Sequence, residues 1–191
     1  MKIWFSSDLH FGHNKDFMYE PRGFHSIKEH DEIIIKNWNE IVKPEDKVYI
    51  LGDLMLNDTD AGIEKVNQLN GRKVIILGNH DTPIRIERYR EELNDIIDIM
   101  YAYQFKYNKH YLYLSHYPTI TANYDDDKPW AKHLINLFGH THQKEKFYNN
   151  NPYMYNVGLD ANDNKPVSID EILERIKEKK MEMDREDGRK N

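Results

Sequence analysis

The chain contains no cysteine among its 191 residues. Disulfide bonds, thiolate zinc sites and cysteine nucleophiles are therefore excluded, and any metal ion must be held by oxygen and imidazole ligands. The lack of cysteine fits a reducing compartment, so we expect a cytoplasmic protein. Histidine, by contrast, is abundant, with 10 residues.

Long apolar segments are missing as well. The apolar runs are only a few residues long, far below the roughly 20 residues that a transmembrane helix needs. A charged residue, Asp8, comes too early for the apolar stretch of about 7 to 15 residues in a signal peptide. We therefore expect neither a membrane partner nor an export signal.

An excess of basic charge is absent too. Lys and Arg number 27 and Asp and Glu number 33, which gives a formal net charge of −6. This balance does not favour nucleic acid as a partner, although it leaves room for a local basic patch. The length fits one domain with a sizeable core and does not favour two domains.

Five short runs rich in β-branched and aromatic residues have the size of buried strands. They lie at 3–5, 48–51, 74–77, 111–114 and 134–138. Apolar residues recur at helical spacing over 27–42, and again over 63–69 after an N-cap at Asp58 or Thr59. The order strand, helix, strand, helix, strand predicts parallel strands joined by crossover helices.

The pattern changes after a third helix, which begins near Pro83. Aromatic residues alternate with polar ones over 101–107, and a second run at 111–115 has the character of a returning strand, which predicts a hairpin. The acidic run 125–127 lacks the spacing of a calcium-binding loop, so we expect an exposed loop there.

A last helix closes the predicted domain. Ser168 and Glu171 form a capping box at its start, and apolar residues follow at helical spacing. We expect a single domain over residues 1–176. Residues 177–191 are nearly all charged, so we expect them to form a disordered tail.

Potential metal ligands directly follow each of the five predicted strands. They are Asp8-Leu9-His10, Gly52-Asp53, Gly78-Asn79-His80-Asp81, His116 and Gly139-His140-Thr141-His142. The glycines at three of these junctions permit sharp turns and close backbone approach. Because the carboxyl ends of parallel strands gather at one edge of a sheet, the side chains should converge. Buried imidazoles and carboxylates without a cation would be poorly satisfied, so the sequence predicts a metal centre.

These five blocks resemble the pattern of the calcineurin-like metallophosphoesterase superfamily: Asp-x-His, Gly-Asp, Gly-Asn-His-Asp or Glu, His, and Gly-His-x-His. All five occur in that order between residues 8 and 142. Phe11-Gly12-His13 and its spacing to Asn37-Trp38-Asn39 resemble a small, single-domain bacterial or phage-type branch. The resemblance implies an α/β fold of the α+β sandwich type. Central mixed β-sheets would be flanked by helices, with a dinuclear metal site at the C-terminal strand ends.

The resemblance also implies two divalent transition-metal ions and their ligands. It assigns Asp8, His10, Asp53 and His142 to one ion, and Asp53, Asn79, His116 and His140 to the other. Asp53 would then bridge two ions roughly 3.5 to 4 Å apart. Asp8 and Asp53 cancel only about half of the ionic charge, so the centre would attract phosphate. Mixed nitrogen and oxygen ligands accept manganese, iron, zinc, nickel or cobalt, and the resemblance favours manganese.

The implied reaction is hydrolysis of a phosphate ester by a metal-bridging hydroxide. His80 resembles the family histidine that faces the leaving oxygen, where an imidazole can donate a proton. Asp53 or Asp81 would orient His80, although Asp81 could also cap the helix near Pro83. Asn79 would contact the substrate in addition to an ion.

Three residues in the loop after the first block are further candidates for substrate binding. They are His13, Arg22 and His25. A fixed guanidinium at Arg22 would suit bidentate recognition of a phosphate group. We therefore expect Arg22 to contact the phosphate rather than the metals.

Two alternatives remain open. His30-Asp31 and His80-Asp81 each offer the residue pair of an HD-type phosphohydrolase, although that site is built on helices. The chain could also be a catalytically silent scaffold or sensor that bears metal. For an enzyme, we favour a small phosphate ester, either a phosphodiester or a small nucleotide, and the oligomeric state is not predicted.

Overall fold

Nine strands in two sheets form the β-structure of residues 1–121 and 134–188, the parts of the chain that a computed structural model describes. The strands are β1 (Ile3–Ser6), β2 (Lys47–Leu51), β3 (Arg72–Ile76), β4 (Ile96–Met100), β5 (Ala102–Tyr107), β6 (His110–Ser115), β7 (Leu134–Phe138), β8 (Met154–Asn156) and β9 (Val167–Ser168). The α-helices are α1 (Asp16–Tyr19), α2 (Ile27–Ile41), α3 (Thr59–Asn67), α4 (Pro83–Glu92) and α5 (Ile169–Gly188).

The first sheet has the order β4-β3-β2-β1-β9. Strands β1 to β4 are parallel, and α2, α3 and α4 connect them. The parallel order of β1, β2 and β3 with crossover helices confirms the prediction from the sequence. The side chains of Ser26, Asp58 and Thr82 each accept a backbone N–H at the start of one of these helices. Strand β9 pairs antiparallel with β1 at the other edge.

The second sheet has the order β5-β6-β7-β8 and contains the predicted hairpin. Tyr107 pairs with His110, so Asn108 and Lys109 form a two-residue turn with φ values of 44° and 69°. A turn with positive φ at both positions matches the twist of the strands and fixes their register. Strands β7 and β8 add in parallel. The acidic run 125–127 lies outside the described residues.

The predicted class, an α/β fold with mixed sheets flanked by helices, is confirmed, but strands β4, β8 and β9 are missing from the prediction. Strand β4 is an edge strand of half-buried and exposed residues, so its sequence lacks a clear alternation. Strand β8 has 3 residues and β9 has 2. Such short segments carry no periodic signal.

The apolar core lies on both faces of the first sheet. On one face, Tyr49 stacks on Tyr103 and Phe105 of the second sheet at centroid distances of 6.0 and 5.4 Å. On the other face, Trp38 of α2 and Tyr89 of α4 are fully buried against the sheet. Packing on both faces holds the strands, and therefore the loops at their carboxyl ends, in fixed positions.

Helix α5 continues through 177–188, where the sequence analysis places a disordered tail, and that prediction is wrong. Ile176 is the last buried apolar anchor. The residues beyond it are strong helix formers, and ion pairs such as that between Lys179 and Glu182 stabilise the helix. Residues 189–191 lie outside the described part of the chain. Neither α5 nor another described helix is long and apolar enough to cross a membrane.

Candidate metal centre

The loops after β1, β2, β3, β6 and β7 meet and bring the predicted ligands together. Five of these residues have left-handed backbone, with φ between 49° and 68°: Asp8, His10, Asp53, His140 and His142. This conformation is rare outside glycine and concentrates at functional sites. Its recurrence at one edge of the two sheets marks this edge as the candidate site.

Two glycines allow the strand ends to approach this closely. A Cβ on Gly139 would overlap Ser7 and Asp8, and a Cβ on Gly78 would overlap the Asp53 carboxylate. Any side chain at either position would displace a carboxylate of the site.

The first ligand group consists of Asp8, His10 and His142. The Nε2 atom of His10 lies 3.2 Å from Nε2 of His142 and 3.8 Å from Oδ1 of Asp8. The Nε2 atom of His142 lies 3.8 Å from the same oxygen. Asp8 and His10 are buried, whereas the side chain of His142 is 34% exposed. These spacings suit one ion with bonds of about 2.1 Å to each ligand.

The residues expected to hold the second ion are Asn79, His116 and His140, and we call them the second ligand group. The Oδ1 atom of Asn79 lies 2.8 Å from Nε2 of His116 and 3.0 Å from Nδ1 of His140. Asp53 stands between the two groups. Its Oδ2 atom lies 3.7 Å from Nε2 of His10 and 3.5 Å from Nε2 of His116, so one oxygen is within reach of both groups.

The hydrogen bonds behind these histidines show that a cation fits. Nδ1 of His142 lies 3.0 Å from a carboxylate oxygen of Asp160, and Nδ1 of His116 lies 2.8 Å from the carbonyl oxygen of Leu51. Both Nδ1 atoms must donate a proton, so each neutral ring carries a lone pair on Nε2. The lone pair of His116 faces another acceptor, Oδ1 of Asn79, at 2.8 Å, and Oδ1 of Asp8 has no hydrogen-bond partner among the described residues. A cation would satisfy all of these atoms.

Burial also prepares the site for a cation. Burial and the nearby carboxylate of Asp8 raise the pKa of Asp53. Burial, together with the neighbouring His142, lowers the pKa of His10 well below its usual value. His10 is therefore neutral, which is the form that binds metal, and the charge of Asp53 needs a positive partner.

His80 lies at the open side of the site. Its ring centroid is 5.6 Å from that of His10, and its Nε2 atom is 4.0 Å from Oδ2 of Asp53. The backbone N–H of His80 donates to Oδ1 of Asp53 at 2.9 Å. The side chain is 40% exposed. His80 can therefore reach a molecule that enters from solvent, and Asp53 is the carboxylate that lies next to it.

Asp81 has a different position from the one expected of a catalytic residue or a helix cap. One of its oxygens accepts the N–H groups of Asp53 and Gly78, at 3.0 and 2.7 Å. The other accepts the hydroxyl of Tyr89 at 2.9 Å. Thr82, and not Asp81, caps α4. Buried Asp81 thus holds the backbone of two ligand loops and does not face the open side of the site.

Arg22 does not face a substrate either, which corrects its expected contact with phosphate. Its side chain is fully buried at 0% exposure. Its Nε and Nη2 atoms donate to the two carboxylate oxygens of Asp160, at 3.0 and 2.8 Å. Nη2 also donates to the carbonyl oxygen of Asp8 at 2.9 Å. The guanidinium therefore lies behind the first ligand group and is engaged within the protein.

The other two candidates for substrate binding, His13 and His25, lie in different places. His13 is buried, and its ring centroid lies 5.6 Å from that of His10, so it borders the site. His25 is exposed, and its backbone N–H donates to Glu29 at 2.8 Å in the capping box of α2. The structure keeps His13 near the ligands and places His25 at the start of a helix.

Asp160 is the residue that sequence reasoning missed. It comes shortly after β8, in Gly158-Leu159-Asp160, so a glycine and an acid follow a strand as they do in Gly52-Asp53. That signal was available, but β8 is too short to be recognised as a strand.

The HD-type alternative is wrong, because the ligand groups follow strands and not helices. His80 and Asp81 come after β3. His30 and Asp31 do lie on a helix, but they are buried and bonded to each other, with Nδ1 of His30 2.8 Å from Oδ1 of Asp31. They lie beneath the site.

Comparison with known proteins identifies the family. Residues 1–165 match the calcineurin-like phosphoesterase superfamily domain, and the chain belongs to this superfamily. Membership supports hydrolase activity on phosphate esters and a requirement for divalent metal ions, for which the Asp and His groups are suitable ligands. The resemblance of the five sequence blocks is thereby confirmed.

Several relatives have a similar length. An uncharacterised protein of Methanocaldococcus jannaschii is 34% identical over 188 residues, which cover 94% of each chain. The Gene 66 protein of Mycobacterium phage D29 is 33% identical over 193 residues, 91% of this chain and 95% of the phage protein. A crystal structure of a protein of unknown function from Aquifex aeolicus has a TM-score of 0.67 at 26% identity, and the match covers 91% of this chain and 98% of that one. The fold therefore extends over almost the whole of both chains.

Proposed function

We propose that the protein hydrolyses a phosphate ester with two divalent transition-metal ions, one at each ligand group. The ligands would be Asp8, His10, His142 and Asp53 for one ion, and Asn79, His116, His140 and Asp53 for the other. The observation that carries this proposal is the position of Asp53 Oδ2, 3.7 Å from a nitrogen of the first group and 3.5 Å from a nitrogen of the second. A single carboxylate oxygen within reach of both groups suits a pair of ions that share a ligand.

The donor set decides which ions fit. Imidazole nitrogens combined with carboxylate and amide oxygens suit manganese, iron, zinc, nickel and cobalt better than calcium or magnesium, which prefer oxygen alone. We favour manganese. Ions of this kind, when bound, polarise a phosphoryl group and lower the pKa of water so that it can attack phosphorus.

The residues of the chain would then have separate tasks. His80 would donate a proton from Nε2 to the leaving oxygen, since it is exposed and its backbone is tied to Asp53 at 2.9 Å. Asn79 would contact the substrate phosphate beside the second group, and His13 would border the other side. Asp81 would act through Asp53, because it accepts the Asp53 N–H.

The substrate class follows from the surroundings of the site. The net charge of −6 disfavours long nucleic acids, and the chain has no large insertion over the site in its described part. We therefore favour a phosphodiester or a small nucleotide. The proposed place of action is the cytoplasm.

A substrate panel tests this proposal. The metal-free protein would be loaded with Mn²⁺ and assayed on bis(p-nitrophenyl) phosphate, p-nitrophenyl phosphate and a set of nucleotides. We expect turnover on the diester or a nucleotide that EDTA abolishes and added Mn²⁺ restores. Metal binding without turnover on every compound would favour a silent scaffold instead. Failure to bind a transition metal would overturn the proposal.

A further inference from the structure

A line of buried charged residues runs away from His142 into the protein interior. Asp160 accepts from Nδ1 of His142 at 3.0 Å, and its side chain is only 9% exposed. Both oxygens of Asp160 also accept from the Arg22 guanidinium, so Asp160 is a carboxylate and can only accept from His142.

Arg22 fixes Asp160 from behind. Two parallel donors, Nε and Nη2, meet the two oxygens of Asp160 at 3.0 and 2.8 Å. This fork sets the plane of the carboxylate as well as its position, which a single ammonium group could not do. The same Nη2 donates to the carbonyl oxygen of Asp8. Arg22 thus holds two residues of the first ligand group, one directly and one through Asp160.

His30 and Asp31 complete the line. Nη1 of Arg22 donates to Nε2 of His30 at 2.9 Å, so that nitrogen must be an acceptor. Nδ1 of His30 then donates to Asp31 at 2.8 Å. The other oxygen of Asp31 is 2.7 Å from Nζ of Lys65 on α3, which is partly exposed. Along these bonds donors and acceptors alternate from Lys65 to His142. Nη2 of Arg22 also lies 3.5 Å from Nδ1 of His142, but the Asp160 oxygen is closer to that nitrogen, at 3.0 Å, and is the acceptor for its proton.

We propose that Asp160, aligned by Arg22, is a positioning residue that holds His142 in the tautomer with its proton on Nδ1 and its lone pair on Nε2. This inference rests on the proposed metal function of His142. It assigns to two residues outside the ligand set the task of keeping Nε2 directed at Asp8 and His10. Within the described part of the chain no corresponding carboxylate lies behind His116, whose Nδ1 donates to the Leu51 backbone.

The consequence for metal binding is selective. Without the carboxylate, the proton of His142 could move to Nε2, which would then repel a cation instead of binding it. Loss of a group that orients a metal-binding histidine typically lowers metal affinity by roughly 10- to 100-fold. The loss should be confined to the first ligand group, because His116 and His140 do not depend on Asp160.

The first test reads the tautomer in metal-free protein. Two-bond ¹H–¹⁵N correlation spectra at a pH where the rings are neutral distinguish the two tautomers, and His142→Gln assigns the signal. We expect the proton of His142 on Nδ1 in the wild type and a shift toward Nε2 in Asp160→Asn. An unchanged tautomer in a folded Asp160→Asn protein would overturn the proposal.

The second test is calorimetric titration with Mn²⁺. We expect Asp160→Asn to weaken one of two binding steps about 10- to 100-fold and to leave the other unchanged. Asp163→Asn is the matched control, because it makes the same Asp-to-Asn change at an exposed residue three positions away. Equal weakening of both steps would overturn the selective role. Arg22→Lys, which keeps the charge and loses the fork, should weaken the same step by less.

The two tests separate this inference from the proposed function. If Asp160→Asn does not fold, Arg22→Lys carries both measurements, and an unchanged tautomer together with an unchanged Mn²⁺ titration in that variant would overturn the role of the pair. If the wild type turns over a phosphate ester while both variants retain the Nδ1 tautomer, the positioning role fails and the enzymatic function stands. If the wild type binds no metal, the proposed function fails whatever the tautomer.

Discussion

The first and second ligand groups are built from similar side chains but are supported in different ways. Behind the first group stands the buried pair of Arg22 and Asp160, and the group itself contains the carboxylate of Asp8. Behind the second group, His116 is held by a backbone carbonyl, and the amide of Asn79 takes the place of a carboxylate. The comparison teaches that charge is concentrated on one side of Asp53, so the two groups should bind cations with unequal strength.

The largest effect is expected from a substitution that weakens metal binding at both ligand groups. Asp53→Asn replaces the one oxygen within reach of both, so we expect loss of both ions and of measurable turnover. The effect on metal affinity should exceed the roughly 10- to 100-fold expected from residues that only orient ligands. Elemental analysis of the purified protein, together with the diesterase assay, measures it.

Asp95→Asn is the control for that variant. Asp95 is exposed and has φ of 58°, close to the 55° of Asp53, so the same substitution meets the same backbone conformation. Full metal content with wild-type turnover in Asp53→Asn would show that neither group depends on the shared oxygen.

The next largest effect is expected on turnover alone, with metal binding at both ligand groups unchanged. His80→Ala should keep two ions but lower kcat about 10²- to 10⁴-fold on substrates with poor leaving groups, the usual range for a positioned general acid. The loss should shrink on p-nitrophenyl esters, because that leaving group departs without a proton. Steady-state kinetics across leaving groups of increasing pKa would measure the trend.

His110→Ala serves as the matched histidine control, because His110 is exposed on β6. Equal losses on good and poor leaving groups would assign His80 to electrostatic stabilisation of the transition state. Loss of an ion from His80→Ala would show that His80 is a metal ligand, and the ligands assigned to the two groups would have to change.

A smaller effect is the difference in Mn²⁺ affinity between the two ligand groups, which a titration measures directly. We expect Mn²⁺ titration of the metal-free wild type to show two steps that differ by about tenfold, or about 1.4 kcal/mol, since the first group has a carboxylate of its own. His140→Ala should remove the weaker step, and His142→Ala the stronger one. Two equal steps, or the reverse assignment, would show that the carboxylate of Asp8 does not strengthen the first group.

The candidate ligands could be predicted from the sequence because each of the five blocks follows a strand that is visible as an apolar run. Asp8 and Asp53 stand just after such runs on neighbouring parallel strands, which brings them together. His116 follows β6 of the second sheet and reaches them because the two sheets pack against each other. The hairpin, the cap at Asp58 and the cap at Ser168 were visible for the same reason, since local residue types determine them.

The support of the first group could not be predicted, because it depends on contacts between distant parts of the chain. Arg22 and Asp160 are 138 positions apart. The sequence shows Arg22 only as an arginine in a loop, for which solvent or a substrate phosphate is the natural partner. Burial by α2 and by the turn after β8 reverses that expectation, and β8 itself is too short to be seen.

The smallest expected effect concerns the end of α5, far from both groups. Deletion of residues 181–191 removes side chains that are mostly exposed over 181–186, together with the ion pair between Lys179 and Glu182, which contributes at most about 1 kcal/mol. We expect Tm to fall by no more than about 2 to 4 °C for a chain of this size, with both Mn²⁺ steps unchanged. Ile176→Ala gives the contrast, because that buried side chain should cost about 2 to 5 kcal/mol. A deletion that lowers Tm as much as Ile176→Ala would show that the last turns of α5 pack against the protein, and a change in either Mn²⁺ step would show that this support reaches the metal centre.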